Sequence, residues 1–167
     1  MLFRSWSEDL GFVLGWLIGD GWLRSGDSNC RVGFTFAAEE TEAKARVERF
    51  MASILGRWLR SVTRNNGVHH VSFHSRFVVD YFRKLGVEPW QSHEKRVPAA
   101  VFRAPWRSVI GFLEGLFGSD GTANWMPGSN AYVRLTSTSR DLLDDVDRKS
   151  TRLNSSHIQK SRMPSSA

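Results

Sequence analysis

Hydrophobic residues follow two alternating kinds of spacing along the first hundred residues of the chain. Spacings of three and four positions, which place side chains on one face of a helix, mark three segments near residues 6–20, 42–55 and 76–85. Between them, alternation of hydrophobic and polar residues predicts two hairpins, at residues 22–37 and 57–74. The predicted order is therefore helix, two strands, helix, two strands, helix.

Local signals mark the ends of these predicted elements. Ser5, with Glu8 three positions later, predicts a capping box at the start of the first helix. Thr41 and Ser75 are predicted to cap the second and third helices, and a glycine follows each of those helices. The hydrophobic face of the third helix is predicted to include Phe77.

The pattern starts again after residue 104 and stops before it is complete. Pro105 precedes a predicted helix at 108–119, and strands are predicted from residue 122 and at 132–138. Ser139 is predicted to cap a further helix, but two strands and a closing helix are then missing. We therefore predict an α+β fold with a first repeat and connecting segment at 1–104, a partial second repeat at 105–147, and a disordered basic tail at 148–167.

One stretch of sequence occurs twice. The segment from Gly11 to Gly21 returns from Gly111 to Gly121. In each copy small residues stand four positions apart, and on a helix they form one stripe almost free of side chains. These residues are Gly11, Gly15 and Gly19 in the first copy, and Gly111, Gly115 and Ser119 in the second. Glycine inside a helix costs about 1 kcal/mol relative to alanine, so we predict that the two helices pack closely enough to offset that cost.

An aspartate stands near the end of each copy, Asp20 in the first and Asp120 in the second. Gly21 and Gly121 are predicted to end the helices in the left-handed conformation, which leaves each carboxylate at the negative end of a helix macrodipole. Packing of the helices would also bring the two carboxylates together and add their mutual repulsion. A bound divalent cation would relieve both costs; a pair of solvated helix-end aspartates is the alternative.

At these residues the segments 13–21 and 113–121 resemble the two signature motifs of the LAGLIDADG homing endonucleases, particularly the intein-encoded, dodecapeptide type. The resemblance covers about residues 5–147. It implies two pseudo-symmetric αββαββα repeats, the second incomplete. It also implies a site-specific endonuclease that hydrolyses phosphodiester bonds of duplex DNA with a divalent metal.

The resemblance implies roles for particular residues. Asp20 and Asp120 would be catalytic and would bind Mg²⁺ or Mn²⁺, with help from the backbone carbonyl groups of Gly19 and Ser119, since hard cations prefer oxygen ligands. Lys95 opens a Lys-Arg-Val-Pro segment that matches a Lys-x-hydrophobic-Pro block of the intein members. Lys95 is therefore the implied catalytic lysine, and a surface lysine in a charged loop is the alternative.

The polar faces of the predicted hairpins are candidates for contact with double-stranded DNA. The candidate residues are Arg31, Thr35, Arg60, His70, His74, Arg134 and Thr136. Such side chains can contact phosphates or read base edges in the major groove, and simple exposure to solvent is the alternative for each of them. Histidines at alternate strand positions could also bind zinc, but no third ligand has a suitable spacing.

The distribution of charge along the chain limits how it could bind DNA. The formal net charge is +6, but residues 148–167 hold five basic residues and no acidic one, which leaves +1 for residues 1–147. Affinity for DNA would therefore depend on where charges lie on the folded surface. The tail resembles a translated sequencing adapter, and a native basic arm that holds DNA is the alternative.

A single cysteine, Cys30, excludes a disulfide within the chain and fits a reducing, cytoplasmic compartment. The longest apolar run, 10–23, contains Asp20 and is shorter than the roughly 20 residues that a membrane span needs. We expect neither a membrane partner nor a small-molecule cofactor.

Two other functions compete with cleavage. The same fold could serve a DNA-binding regulator or an RNA-splicing maturase that does not cleave, and the glycine helices could belong to a structural protein that only dimerises. The electrostatic cost of retaining both Asp20 and Asp120 favours the nuclease. Splicing domains of a host intein are candidate partners, but the chain lacks an initial catalytic cysteine and a terminal His-Asn, so self-splicing is not expected.

Overall fold

The computed structural model describes residues 5–57, 61–124 and 132–148 of the chain. The first repeat consists of α1 (Glu8–Gly19), β1 (Gly21–Ser25), β2 (Cys30–Phe36), α2 (Thr41–Leu55), β3 (Ser61–Thr63), β4 (His69–His74) and α3 (Arg76–Lys84). Two short 3₁₀ segments, Ser92–Glu94 and Ala99–Arg103, lead to α4 (Trp106–Asp120), β5 (Gly121–Asn124), β6 (Tyr132–Leu135) and a helix α5 at 140–148. This order confirms the predicted α+β fold. Within the described ranges, no helix is long and apolar enough to cross a membrane.

The strands in the described ranges form two antiparallel sheets. The first sheet has the order β1-β2-β4-β3, and the second pairs β5 with β6. In the first repeat β2 is hydrogen-bonded along both edges, whereas its counterpart β6 pairs only with β5 in the described part of the chain. The incomplete second repeat stays a prediction.

Helix α1 lies at the centre of the core, and every residue from 10 to 19 is buried. Its Trp16 stacks on Phe36 with ring centroids 5.1 Å apart, and the indole N–H donates to the Thr35 carbonyl oxygen at 3.0 Å. The first sheet covers α1 with the alternating hydrophobic residues that the sequence predicts for β2, and α2 adds the buried Val47 and Met51. The first repeat is thus built around α1.

Helices α1 and α4 pack backbone to backbone along their glycine stripes. A Cβ atom placed on Gly15 would lie 2.0 Å from the carbonyl oxygen of Phe112, and one on Gly115 would lie 2.2 Å from that of Phe12. One turn earlier, Gly11 and Gly111 meet the opposite helix equally closely. Because each contact is repeated with the two helices exchanged, the pair has an approximate two-fold axis. The predicted packing is confirmed.

Two predicted helix caps are wrong by one or two residues. The first helix is capped by Ser7 rather than Ser5, because the Ser7 hydroxyl accepts the N–H of Leu10 at 3.0 Å. Thr41 is the first residue of α2, and Glu40 occupies its N-cap position. The predicted cap of α3, Ser75, is confirmed.

The prediction that Gly21 and Gly121 adopt the left-handed conformation is also wrong. Gly121 has φ −94° and ψ 163°, which is extended backbone. In the described ranges positive φ occurs at Gly56, Gly67 and Gly86. The glycines are needed for space instead: a Cβ at Gly21 would lie 2.6 Å from the Leu17 carbonyl oxygen, and one at Gly121 would lie 2.2 Å from that of Phe117.

One helix face and two strand boundaries differ from those that the sequence predicts. Phe77 is 64% exposed, because α3 turns Val78, Val79 and Phe82 toward the core. The strand predicted at 132–138 ends at Leu135. The strand predicted at 57–64 is observed at Ser61–Thr63, and residues 58–60 lie outside the described ranges.

Candidate functional site

The pairing of α1 and α4 brings the ends of the two helices together. Asp20 is the C-cap residue of α1, and Asp120 is the last residue of α4. A Cβ atom on Gly19 would lie 3.5 Å from the carboxyl carbon of Asp120, so the last turn of α1 packs against that side chain. The two aspartates predicted to converge therefore stand at one shared end of the helix pair.

The same backbone hydrogen bond holds each aspartate. The Asp20 carbonyl oxygen accepts the N–H of Thr35 at 2.9 Å, and the Asp120 carbonyl oxygen accepts the N–H of Thr136 at 3.4 Å. Thr35 is itself fixed through its carbonyl group by the Trp16 indole. Thr136, which follows β6, therefore binds the backbone of Asp120 in the same way as Thr35 of β2 binds the backbone of Asp20.

Lys95 lies on the segment between the two repeats and reaches this point. Its half-buried ammonium donates a hydrogen bond to the carbonyl oxygen of Gly19. That carbonyl group, implied by the resemblance as a metal ligand, is therefore bound to the lysine in this structure. Ser119, the counterpart of Gly19, uses its hydroxyl to donate to the Leu116 carbonyl oxygen at 3.1 Å.

The three charged side chains influence one another. Burial raises the pKa of Asp120, the charge of Asp20 raises it further, and the charge of Lys95 opposes both effects. Burial also raises the pKa of Asp20, again opposed by Lys95, although the Asp20 side chain keeps contact with water. Burial lowers the pKa of Lys95, and the charges of Asp120 and Asp20 act against this change.

Glu40 is a further acidic residue near the site, and it is not among the residues predicted from the sequence. Burial raises the pKa of Glu40, a hydrogen bond from the Ala37 N–H at 2.7 Å lowers it, and the charge of Asp20 raises it again. Its position just before α2 was the only signal in the sequence, and that position suggests a helix cap rather than a site.

The donor set fits a hard divalent cation. Carboxylate oxygens of Asp20 and Asp120 are the ligands that Mg²⁺ and Mn²⁺ prefer. Burial raises the pKa of both groups, the charge of Asp20 also raises that of Asp120, and a cation would relieve both effects. In the described parts of the chain, no group of three or more His, Cys, Asp or Glu side chains is arranged as a metal site. A cation held by the two aspartates would therefore complete its coordination with water or with oxygens of a bound ligand.

The first sheet presents a polar face on the side opposite the core. Strand pairing places Trp22 beside Gly33, Arg24 beside Arg31, and Thr35 beside His70. The polar face consists of Trp22, Arg24, Arg31, Gly33, Thr35, His70, Ser72 and His74. Four of the predicted DNA-binding residues, Arg31, Thr35, His70 and His74, thus share one surface.

A basic row crosses one end of the polar face. Arg24, Arg31 and His74 are direct cross-strand neighbours, and the arginines form no ion pair with an acid in the described part of the chain. Like charges that face each other across a sheet are destabilising, so this row favours binding of an anion. The Arg24 guanidinium lies 5.1 Å from the centre of the Trp22 ring.

Within the polar face, the Thr35 hydroxyl lies 3.4 Å from Nδ1 of His70. Two other predicted DNA-binding residues lie on or next to β6. Arg134 is exposed on β6, with its guanidinium 5.5 Å from the centre of the Tyr132 ring, and Thr136 follows that strand. Arg60 lies outside the described residues.

Trp22, Arg24 and Ser72 also lie on the polar face but are not among the predicted DNA-binding residues. The register of the first hairpin, which pairs Trp22 with Gly33, was one signal in the sequence. The pairing of Gly33 with Ser72 joins strands of different hairpins and left no such local signal. Gly33 gives the indole room to lie flat, because a Cβ at Gly33 would stand 2.3 Å from the Trp22 ring.

Comparison with known proteins gives a family match over the second copy of the repeated segment. A family model described as a LAGLIDADG-like domain matches residues 108–164. DNA polymerases of Thermococcus sp. (strain GE8) and Thermococcus hydrothermalis are each 29% identical, over 138 and 155 residues respectively, covering 80% of this chain. The chain spans 8% of the length of each polymerase. Because the family match runs past residue 147, the expectation that 148–167 lies outside the fold stays a prediction.

Solved structures share the fold. The homing endonuclease I-DmoI, in complex with DNA and Ca, has a TM-score of 0.64 at 18% identity over 90% of this chain and 74% of that chain. Two I-DmoI variants bound to target DNA in the presence of Mn and Mg have TM-scores of 0.63 and 0.62 at 18% identity. They cover 90% and 88% of this chain, and 78% of each I-DmoI chain.

Proposed function

Because the chain has the LAGLIDADG homing endonuclease fold and carries a LAGLIDADG-like domain, we propose that it is the endonuclease part of a homing element and hydrolyses duplex DNA with a divalent cation. The observation that carries the proposal is the meeting of Asp20, Asp120 and Lys95 at one end of the paired helices. A protein that only bound DNA would gain nothing from two partly desolvated carboxylates beside each other.

Asp20 and Asp120 have one role in the proposed hydrolysis, and Lys95 has another. A divalent cation bound by Asp20 and Asp120 would lower the pKa of water and stabilise charge on the attacked phosphate and the leaving oxygen. Lys95 places a positive charge beside both carboxylates, where it can stabilise negative charge on a phosphate or orient a water molecule. Mg²⁺ and Mn²⁺ both suit these oxygen donors, and the I-DmoI structures with Mn and Mg support the choice.

The polar face is the proposed DNA-binding surface. Thr35 lies beside the carboxylate centre, and Arg31 lies four residues further along β2, roughly 14 Å away. The basic row at Arg31 can therefore contact phosphates that flank the cut site, which positions the duplex. Between Arg31 and Thr35 the polar face carries Gly33 with its neighbours Trp22 and Ser72, and we propose that these two neighbouring side chains face base edges in the major groove. Arg134 and Thr136 would contact the other half-site.

The DNA polymerase relatives favour an intein. The chain matches 8% of each polymerase, as expected for an element carried inside a larger reading frame. We propose that splicing domains of such an intein are its partners, and that residues 105–147 form a partial second αββαββα repeat. The buried, unpaired Cys30 is consistent with the cytoplasm.

Cleavage of a randomised duplex library tests the proposed function. We expect the chain to release new DNA ends in Mg²⁺ or Mn²⁺ but not in EDTA, and we expect those ends to share a sequence. The matched control is the double variant Asp20→Asn, Asp120→Asn. If wild type and the double variant bind the library equally and neither cuts it, the protein is a DNA-binding regulator; if neither binds duplex DNA at low salt, a structural role replaces both proposals.

A further inference from the structure

The segment that carries Lys95 is held by α5 of the second repeat at two points. The Ser139 hydroxyl donates a hydrogen bond of 2.6 Å to the Lys95 carbonyl oxygen. One turn and a half further along, the Asp145 carboxylate accepts two hydrogen bonds of 3.1 Å from the guanidinium of Arg96. Ser139 is 0% exposed and Asp145 is 3% exposed, so the second repeat contributes a buried partner to each contact, although the Arg96 side chain itself is partly exposed.

The hydroxyl of Ser139 makes two hydrogen bonds that point in different directions. It accepts the N–H of Leu142 at 3.2 Å, which caps α5, and it donates to Lys95. A serine hydroxyl has one donor and two acceptor sites, so the two bonds do not compete. The start of α5 and the backbone of Lys95 are consequently tied to the same oxygen atom.

The lysine therefore connects the two repeats. Its backbone is bound to Ser139 of the second repeat, and its ammonium is bound to Gly19 at the end of α1. A shift of α5 would move the Lys95 backbone, and a displaced ammonium would no longer lie beside the two aspartates. Asp145 reinforces the attachment through Arg96, and it also accepts a hydrogen bond from Arg148 at 2.8 Å.

We propose that Ser139 is a positioning residue for Lys95: its hydroxyl fixes the Lys95 backbone so that the ammonium reaches the Asp20–Asp120 centre. The consequence for catalysis rests on the proposed nuclease function, but the positional claim does not. In this arrangement the second repeat contributes more than its own aspartate, because it also holds the lysine of the connecting segment.

A purely structural cap is the competing explanation, and the choice of variant separates the two. Glycine is accepted at N-cap positions at a cost of only a few tenths of a kcal/mol, so Ser139→Gly removes the hydroxyl bound to Lys95 with little loss of capping. Ser139→Thr keeps a hydroxyl and serves as the rescue. Ser75→Gly is the matched control, because Ser75 caps α3 through the Val78 N–H at 3.4 Å and lies on the opposite repeat.

The first readout is the NMR signal of the Lys95 side-chain nitrogen, Nζ, in the full chain labelled with ¹⁵N-lysine. The chain has five lysines, and the Lys95 signal is assigned by its absence in Lys95→Met. We expect Ser139→Gly to shift or broaden this signal, Ser139→Thr to restore it, and Ser75→Gly to leave it in place. An unchanged Lys95 signal in a folded Ser139→Gly protein would overturn the proposal, whether or not the chain cleaves DNA.

The second readout is a double-mutant comparison of cleavage. In the wild-type background, we expect Ser139→Gly to lower kcat by roughly ten- to a hundredfold with KM nearly unchanged, since a displacement of about 1 Å can cost that much. In the Lys95→Met background, the same change should have no further effect. An equal loss in both backgrounds would mean that Ser139 acts independently of Lys95. A wild-type chain that never cleaves would refute the proposed function and leave the nitrogen signal to decide the position of Lys95.

Discussion

Replacing either Asp20 or Asp120 with asparagine is expected to lower the rate of DNA cleavage by more than about a hundredfold. Loss of a residue that only orients a metal ligand already costs ten- to a hundredfold, and a neutral amide is a much poorer ligand than a carboxylate. DNA binding should stay close to wild type, because Arg24 and Arg31 of the polar face are unchanged. Single-turnover rates on the sequence recovered from the library give the measurement. Cleavage at the wild-type rate in either variant would reject the metal role of that aspartate.

The same variants should be more stable than the wild type when metal is removed. The pKa of Asp120 is raised above its ordinary value of 3.8, so the folded state binds the proton more tightly than the unfolded state. The stability that the protonated group contributes is lost as the pH rises from the pKa of Asp120 in the unfolded state to its pKa in the folded state. The stabilising effect of Asp120→Asn should accordingly grow with pH over that range and disappear below it.

Urea denaturation in EDTA at several pH values measures this effect. Asp27→Asn is the matched control, because it removes the same charge from a fully exposed turn far from the site. No comparable gain is expected there. If Asp120→Asn is less stable than wild type at neutral pH without metal, the desolvated carboxylate is not a cost to folding.

The second large effect is expected from a single methyl group. Gly15→Ala places a Cβ atom 2.0 Å from the Phe112 carbonyl oxygen and 2.7 Å from the Leu116 nitrogen. Both are backbone atoms of α4, so no side-chain rotation can make room. Overpacking typically costs 1 to 3 kcal/mol, and we expect a loss of at least about 3 kcal/mol here because α1 and α4 must move apart.

Helix propensity makes the sign of this result informative. Alanine inside a helix is favoured over glycine by about 1 kcal/mol, so without the close contact Gly15→Ala would stabilise the protein. Gly118→Ala in α4 is the matched control, because its Cβ would meet only the edge of the Trp16 ring at 3.1 Å. Chemical denaturation followed by circular dichroism compares the two variants. A Gly15→Ala protein as stable as wild type would mean that the two helices are not in backbone contact.

The sequence predicted best what depends on repeated local pattern. The stripe of Gly11, Gly15 and Gly19 predicted both the contact with α4 and the meeting of Asp20 with Asp120, since a lack of side chains has few explanations inside a helix. Strand alternation likewise placed Arg31 and Thr35 on a polar face. Where a pattern admits two causes, the prediction failed: the glycine at 21 suggested a left-handed turn, but it is required by contact with Leu17.

Other features depend on contacts between distant residues and left little trace in the sequence. Phe77 and Val78 are adjacent hydrophobic residues at the start of a short helix, and only the packing of α3 determines that Val78 is the buried one. The attachment of Lys95 to Ser139 spans 44 positions in the chain. Ser139 was correctly predicted as a helix cap, but nothing in the sequence indicates that its hydroxyl also binds the lysine segment.

Titration of the full chain with Mn²⁺, followed by electron paramagnetic resonance or calorimetry, tests the shared carboxylate centre most directly, because it requires neither cleavage nor a known DNA target. We predict that wild type binds Mn²⁺ and that Asp20→Asn and Asp120→Asn each weaken binding by at least about tenfold, whereas Asp27→Asn leaves it unchanged. Equal Mn²⁺ affinity in wild type and in both site variants would contradict a metal centre formed jointly by the two repeats.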